Sequence, residues 1–177
     1  MNLLEIVKTR RSVRKYLPKP IDEETVLQII EYGRWAPSGL NHQPWKMIGV
    51  LNRPMLDKLA KCTTSGHMIE NAPSVILIYL DKSTRSYSYA KNCQGIGALF
   101  QNMLLGIHQM GLGACWLGEI LNQKDQVNAL VNIHEEKDQL EFMGGIVLGY
   151  PHPDELKKEG SRKPVDSIFE FWSDKNE

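Results

Sequence analysis

Apolar residues recur along this chain in two periods, and the switches between them mark its elements. Leu3, Leu4, Ile6 and Val7 give residues 2–9 the pattern of a short amphipathic helix. A second helix opens after Asp22, whose carboxylate suits an N-cap. Glu23 and Glu24 favour its positive end, and Val26, Leu27, Ile29 and Ile30 form its apolar stripe. It stops near Ala36, because Pro37 disfavours helical geometry in the residue before it. A polar loop over residues 37–44 leads into a strand over 45–51, and Pro54 starts a short helix reaching about residue 60. Residues 74–80 form a continuous apolar run, the mark of a strand buried on both faces. Residues 89–110 make the longest helix, with Cys93, Ile96, Phe100, Met103, Leu104, Ile107 and Met110 at helical spacing. Residues 113–117 read as a strand, Asn122 as the cap of a helix through Val131, and residues 141–148 as another strand. The segment 165–172 is apolar and largely alternating, which predicts a strand or an arm. Strands mixed irregularly with helices imply one α+β domain of three layers over residues 1–177.

The long helix also carries Ala90, Gly95, Gly97, Ala98 and Gly106. A mid-helix glycine costs about 1 kcal/mol relative to alanine. Several of them imply close approach of another helix, either in the same chain or in a second copy.

Composition narrows the function. With 21 basic and 21 acidic side chains the formal net charge is zero, which argues against a general nucleic-acid or membrane-surface binder. No apolar run approaches the ~20 residues that span a bilayer, and the first residues lack the basic-then-apolar order of a signal peptide. Cys62, Cys93 and Cys115 are odd in number and far apart, so neither a disulfide framework nor a zinc site is expected. A reducing cytoplasm fits best. The five histidines are scattered, and no metal site is expected.

Against that balance, three arginines in five residues stand out: Arg10, Arg11 and Arg14, with Ser12 and Val13 between them. Guanidinium forks match phosphate and carboxylate oxygens. The cluster is either solvated surface or a site for a phosphate or an electron-rich ring edge. The loop 37–44 carries Ser38, Gly39, Asn41 and Gln43 between Trp35 and Trp45, and amide side chains can read the edge of a heteroaromatic ring. Gly95-Ile96-Gly97 and Gly111-Leu112-Gly113 lack the strand-turn-helix setting of a dinucleotide fingerprint. After the strand that contains Trp116 and Leu117, Gly118 permits close approach to something flat. Ser161, Arg162, Lys163 and Pro164 form a last basic motif. Cys93, Cys115 and His108 read as packing residues, and no Ser/His/Asp set or carboxylate pair emerges. Anion- and amide-rich sites without a side-chain catalyst point to a cofactor that does the chemistry itself.

In order along the chain, these pieces resemble the nitroreductase family of flavoproteins. The matching motifs are residues 10–16 (RRSVRKY), 36–45 (APSGLNHQPW), 71–73 (NAP), 101–105 (QNMLL), 111–116 (GLGACW) and 161–164 (SRKP). The resemblance covers essentially the whole chain. It implies a three-layer α/β/α fold with a central mixed, mainly antiparallel sheet, in an obligate homodimer with FMN at the subunit interface. Arg10, Arg162 and Lys163 would hold the phosphate. Arg11, Ser12 and Arg14 would line the polar edge of the flavin, where a positive charge stabilises the anionic reduced form. Pro37, Ser38, Gly39 and Asn41 would come from the partner subunit. The backbone of Trp116, Leu117 and Gly118 would approach N5. The arm at about 165–172 would contact the other protomer.

The activity so implied is hydride transfer from NAD(P)H through FMN to an electron-poor acceptor such as a nitroaromatic or quinone, in ping-pong order, with no catalytic side chain. The alternatives are a flavin-dependent dehydrogenase or oxidase of one specific substrate, and a non-catalytic FMN-binding sensor. Two departures from the family pattern matter. Only residues 81–88 stand where larger members have a long excursion over the substrate, so the site is expected to be open, with Tyr87 or Tyr89 at its rim. Gly160 stands where some members have a phosphate-binding lysine, a loss for which Lys163 would compensate.

Overall fold

The computed structural model describes residues 2–84, 88–157 and 160–172; Tyr87 lies outside them. In chain order the elements are α1 (Leu3–Thr9), α2 (Glu23–Arg34), β1 (Trp45–Val50), α3 (Arg53–Ala60), α4 (His67–Glu70), β2 (Ser74–Asp81), α5 (Tyr89–Gln109), β3 (Gly113–Leu117), α6 (Lys124–Leu130), α7 (Glu135–Asp138) and β4 (Leu140–Gly149). The four strands form one sheet in the order β1-β2-β4-β3, and every strand pair is antiparallel. β2 and β3 therefore run in the same direction with β4 inserted between them, and α5 is the crossover that joins them.

Alternation along the strands sorts the core into two halves. Val75, Leu77, Tyr79, Cys115, Leu117 and Phe142 face one side, packed with residues of α3, α4 and α6. Ile76, Ile78, Leu80, Ala114, Ile146 and Leu148 face the other, packed under α2 and α5. The result is the three-layer α+β architecture expected from the sequence. β2 is central and buried from Ser74 to Leu80, which is why it reads as a continuous apolar run.

Caps behave as the chemistry requires. Asp22 accepts a hydrogen bond from the Thr25 N–H at 2.8 Å and starts α2. Asn2 and Glu5 form a reciprocal capping box on α1. Asn122 does not cap α6. A 3-10 turn over Glu119–Gln123 continues from β3, and α6 starts only at Lys124 after Gln123. The buried Ile120 fixes that turn against the core and overrides the local capping signal. Residues 165–172 are not a strand either. Val165–Ser167 form a 3-10 turn, and Phe171 and Trp172 are 86% and 85% exposed, with no described strand beside them.

The glycines of α5 face different neighbours. A Cβ on Gly106 would lie 2.4 Å from the Tyr32 ring of α2, and one on Gly33 of α2 would lie 2.7 Å from Met103 of α5. These two glycines let α2 and α5 approach within the same chain. Gly97 differs, because a Cβ there would meet nothing within 4 Å. We expect Gly106→Ala to destabilise the fold by about 1–3 kcal/mol, the range for overpacking a fitted contact. Denaturant unfolding measures it, and Gly97→Ala in the isolated chain is the contrast that should cost nothing.

Candidate active site

The arginine cluster takes its position from the chain that follows α1. Beyond Thr9 the backbone becomes extended at Arg10, and Ser12 forms a one-residue parallel bridge with Ala114 of β3. The Val13 N–H donates to the Ala114 carbonyl at 2.9 Å. The Val13 side chain fits only because residue 113 is glycine, since a Cβ there would sit 2.8 Å from Val13. Tyr16 anchors the segment a second time. Its hydroxyl, buried and far from ready ionisation, is shared between the carbonyls of Val13 (2.6 Å) and Val147 (3.2 Å). Glu155, itself buried, accepts the Arg14 N–H at 2.8 Å. With Val13 and Tyr16 turned inward, Arg14 is left exposed at the surface.

Arg10 lines a cavity of about 300 Å³ with Thr9, Arg11, Leu104, His108 and Glu155. Burial lowers the Arg10 pKa, and the charges of Arg162 and Arg11 lower it further. Among the described residues, no ion pair joins Arg10, Arg11 or Arg162 to a carboxylate. The charges of Arg11 and Arg162 thus bear on Arg10, and none of the three is in an ion pair with a described carboxylate. The structure brings Arg162 to the α1 end across about 150 residues of sequence, as a phosphate site would need. Lys163 is exposed beside it.

Arg11 turns back on its own helix. Its Nη1 donates to the carbonyls of Lys8 (2.6 Å) and Arg10 (2.7 Å), covering the open end of α1. Its Nε is buried without a hydrogen-bond partner among the described residues. A Cβ at Gly160 would lie 2.5 Å from the Arg11 guanidinium carbon. The space a larger residue at 160 would need is taken by Arg11.

On β3, the exposed Trp116 ring stacks on Phe100 at 3.9 Å with the planes 4° apart, and Leu117 is buried. A Cβ on Gly118 would meet nothing within 4 Å, so packing inside the chain does not demand glycine there. Cys115 is buried near Ser12, Arg10 and Arg14. Burial pushes its thiol up despite the two arginines.

Pro37, Ser38 and Gly39 lie elsewhere. With Lys91, Gln94 and Ala98 they line a separate depression of about 320 Å³ over the N-terminal half of α5. Ser38 Oγ accepts the Gln43 N–H at 2.9 Å, closing the loop on itself. Leu40, Asn41 and Gln43 all hold positive φ, at 52°, 56° and 49°. Such backbone is sparsely populated for residues other than glycine and gathers at functional sites. The chain therefore carries two walls that do not meet.

A family model described as "Nitroreductase family" matches residues 7–66 and 50–150, which takes in Arg10–Arg14, the loop 37–43 and β3 and ends before Glu155 and Arg162. The chain belongs to the nitroreductase family. A protein of Methanothermobacter thermautotrophicus, provisionally named NADH dehydrogenase/NAD(P)H nitroreductase, is 33% identical over 153 residues, covering 85% of this chain and 78% of that one. A protein of the same name from Archaeoglobus fulgidus is 32% identical over 148 residues, 84% of each chain. A crystal structure of a nitroreductase-type protein from Desulfovibrio desulfuricans in complex with FMN superposes with a TM-score of 0.88 at 35% identity. The match covers 98% of this chain and 99% of that one.

The sequence carries no sign of the partners that several side chains of the fold take. Glu155 and Glu119 act through partners more than fifty positions away. His108 faces the arginines at the end of α5, and its Nε2 lies 2.9 Å from Thr9 Oγ1. Tyr89 donates to Glu141 Oε1 at 2.8 Å, a bond that raises the Tyr89 pKa.

Burial, followed by Arg10 and Arg11, depresses the His108 pKa below its ordinary 6.5. A base held below its unfolded value stabilises the fold above that value and loses the contribution as pH falls through 6.5 towards the folded pKa. We expect His108 to titrate below 6.5 in the unliganded protein. Inorganic phosphate should raise its pKa by offsetting the arginine charges. Ring-proton NMR titration with and without phosphate checks both.

Proposed function

We propose that this protein is a homodimeric, FMN-dependent oxidoreductase that uses NAD(P)H, with one flavin site at each subunit interface. The observation that carries the reading is the cavity lined by Arg10 and Arg11, which with Arg162 pair with no carboxylate among the described residues. They fit a dianionic phosphate, and Gly118 leaves open space for a flat ring near the same strand. The relatives named for NAD(P)H and the related structure holding FMN support the choice of cofactor and reductant.

In this reading Arg10, Arg162 and Lys163 hold the phosphate. Arg11, with its buried Nε still unpartnered, and Ser12 address the polar edge of the flavin. Arg14 is exposed and offers positive charge there, favouring the negatively charged reduced state. The backbone of Trp116, Leu117 and Gly118 faces the ring. The chemistry supplied by bound FMN is hydride transfer at N5, from NAD(P)H and on to an electron-poor acceptor in ping-pong order. No side chain is needed as the redox group, so the residues bind, orient and set charge.

The second wall, with Pro37, Ser38, Gly39 and Asn41, completes the site of the partner. Its strained loop sits over one face of α5. The positions 91, 94, 98, 102, 105 and 109 of that face line two open depressions of about 320 and 410 Å³. The spacing of three and four residues makes them one continuous stripe. Leu3, Leu4, Trp35 and Leu40 are exposed, and so are Phe169, Phe171 and Trp172 of the C-terminal arm. An exposed apolar area of this extent marks an association surface. The arm is assigned to the partner subunit. Cys62, Cys93 and Cys115 are all free thiols, which fits a reducing cytoplasm. No described helix is long and apolar enough to cross a membrane.

The visible spectrum of the purified protein, followed by anaerobic NADH or NADPH, tests the reading. A flavin spectrum that bleaches with the nucleotide is expected, and failure to reconstitute with FMN would end it. Arg10→Ala should weaken FMN binding on the order of 10- to 100-fold with the fold intact, the loss of a charge-assisted contact. Fluorescence titration reads this, and unchanged affinity would remove Arg10 from the phosphate role. Sedimentation velocity should give a dimer, weakened when the chain is cut before Val165.

A further inference from the structure

Gly118 and Glu119 lie between two core anchors, Leu117 and Ile120, which are 3% and 0% exposed. The short exposed stretch between them is fixed at both ends. A second stretch, residues 63–65, with Thr64 exposed and Thr63 and Ser65 half-buried, is fixed in the same way. Cys62 and Ile69 are buried in the same half of the core as Leu117 and Ile120. Gly66 closes this loop so tightly that a Cβ would lie 2.1 Å from the Ala60 carbonyl oxygen.

One carboxylate ties the two stretches. Glu119 Oε2 accepts a hydrogen bond from the Thr63 hydroxyl and another from the Thr64 N–H at 3.1 Å. Thr63 Oγ1 also accepts the Ser65 N–H at 3.1 Å, so the carboxylate orders the whole loop. The Thr63 bond, followed by the Thr64 and Asn122 contacts, holds the Glu119 pKa below the usual carboxylate value. The tie is a pair of hydrogen bonds from neutral donors to a carboxylate that favours its charged form.

The core anchors already secure each stretch, so the fold does not require the tie. What the tie fixes is the relative position of two surface loops. One of them is the segment that includes Gly118, where a Cβ would enter open space. We propose that Glu119 is a positioning residue of the flavin site: its carboxylate holds the Thr63–Ser65 loop against the Gly118–Glu119 backbone, and the two together make the wall on which the ring rests. The proposal rests on the FMN reading above and adds Glu119, Thr63 and the 63–65 loop to it. The carboxylate acts through backbone placement and does not exchange protons or electrons.

Three variants test it, each measured for FMN affinity, visible spectrum, flavin midpoint potential and melting of the unliganded protein. Glu119→Ala should weaken FMN binding by about tenfold or more, the scale of losing a charged hydrogen-bond acceptor. It should also shift the flavin spectrum and potential while leaving the melt of the unliganded protein close to that of the parent. Glu119→Gln keeps an acceptor oxygen and should recover most of the affinity. Thr63→Val removes the hydroxyl donor from the other side and should move the same readouts in the same direction as Glu119→Ala. Parent-like affinity, spectrum and potential in Glu119→Ala would overturn the proposal. So would an unfolded Glu119→Ala beside a flavin-normal Thr63→Val, which would place Glu119 in the structural core instead. Failure of the parent protein itself to bind FMN would overturn the functional reading, and this proposal with it.

Discussion

The hydrogen bond from the Val13 N–H to the Ala114 carbonyl is the contact on which the site depends. It joins the segment after α1 to the edge of the sheet, and it exists because Gly113 leaves room for the Val13 side chain. A register shift of one residue would turn Val13 and Tyr16 outward and point Arg14 into the core. The two buried anchors and the carboxylate of Glu155 oppose that slip. Charged side chains are thus presented by a stretch whose own stability comes from apolar and backbone contacts. That division lets the arginines stand without a carboxylate partner among the described residues, because the segment that carries them is held by contacts that do not use their charges.

The cost of gathering those charges is visible in the site. Arg10 is partly desolvated and faces two like charges, and His108 is held towards its neutral form by the same field. Charges brought together without a counterion destabilise a protein until an anion arrives. The backbone strain at Leu40, Asn41 and Gln43 is a second reservoir of the same kind. Both walls of the site are less comfortable alone than they would be with a ligand and a partner in place.

Much of this was legible in the chain. The strands were, because their burial is either continuous, as in β2, or tied to short apolar runs bounded by turns, as in β3. The arginine cluster and the loop at 37–44 were legible as local concentrations of chemistry, and family resemblance joined them into a flavin site. The start of α6 was misread at Asn122, because burial of Ile120 decides the local geometry and a capping residue does not reveal that. The alternating pattern of residues 165–172 left a strand or an arm open, and the strand is not formed, since alternation reports an apolar face without saying what covers it. The contacts of Glu119, Glu155 and His108, the last read only as a packing residue, were hidden for a different reason. Each works through a partner distant in sequence, and one acidic or imidazole side chain carries no signature of its partner. The role of Arg11 also needed coordinates, because only they reveal a guanidinium folded back on its helix and pressed under Gly160.

The insertion of β4 between β2 and β3 has a consequence in time. β3 cannot be held in the sheet until β4, which follows it, has paired with β2. Nor can the Ser12 bridge form until β3 is docked, although the two partners are about a hundred residues apart. On the ribosome, Arg10, Arg11 and Arg14 would emerge well before the β3 and β4 strands that fix their place. Arg162 follows later still. The arginine-lined cavity is therefore completed only after β4 and Arg162 have been made, and the nascent chain carries its first arginines unplaced until then.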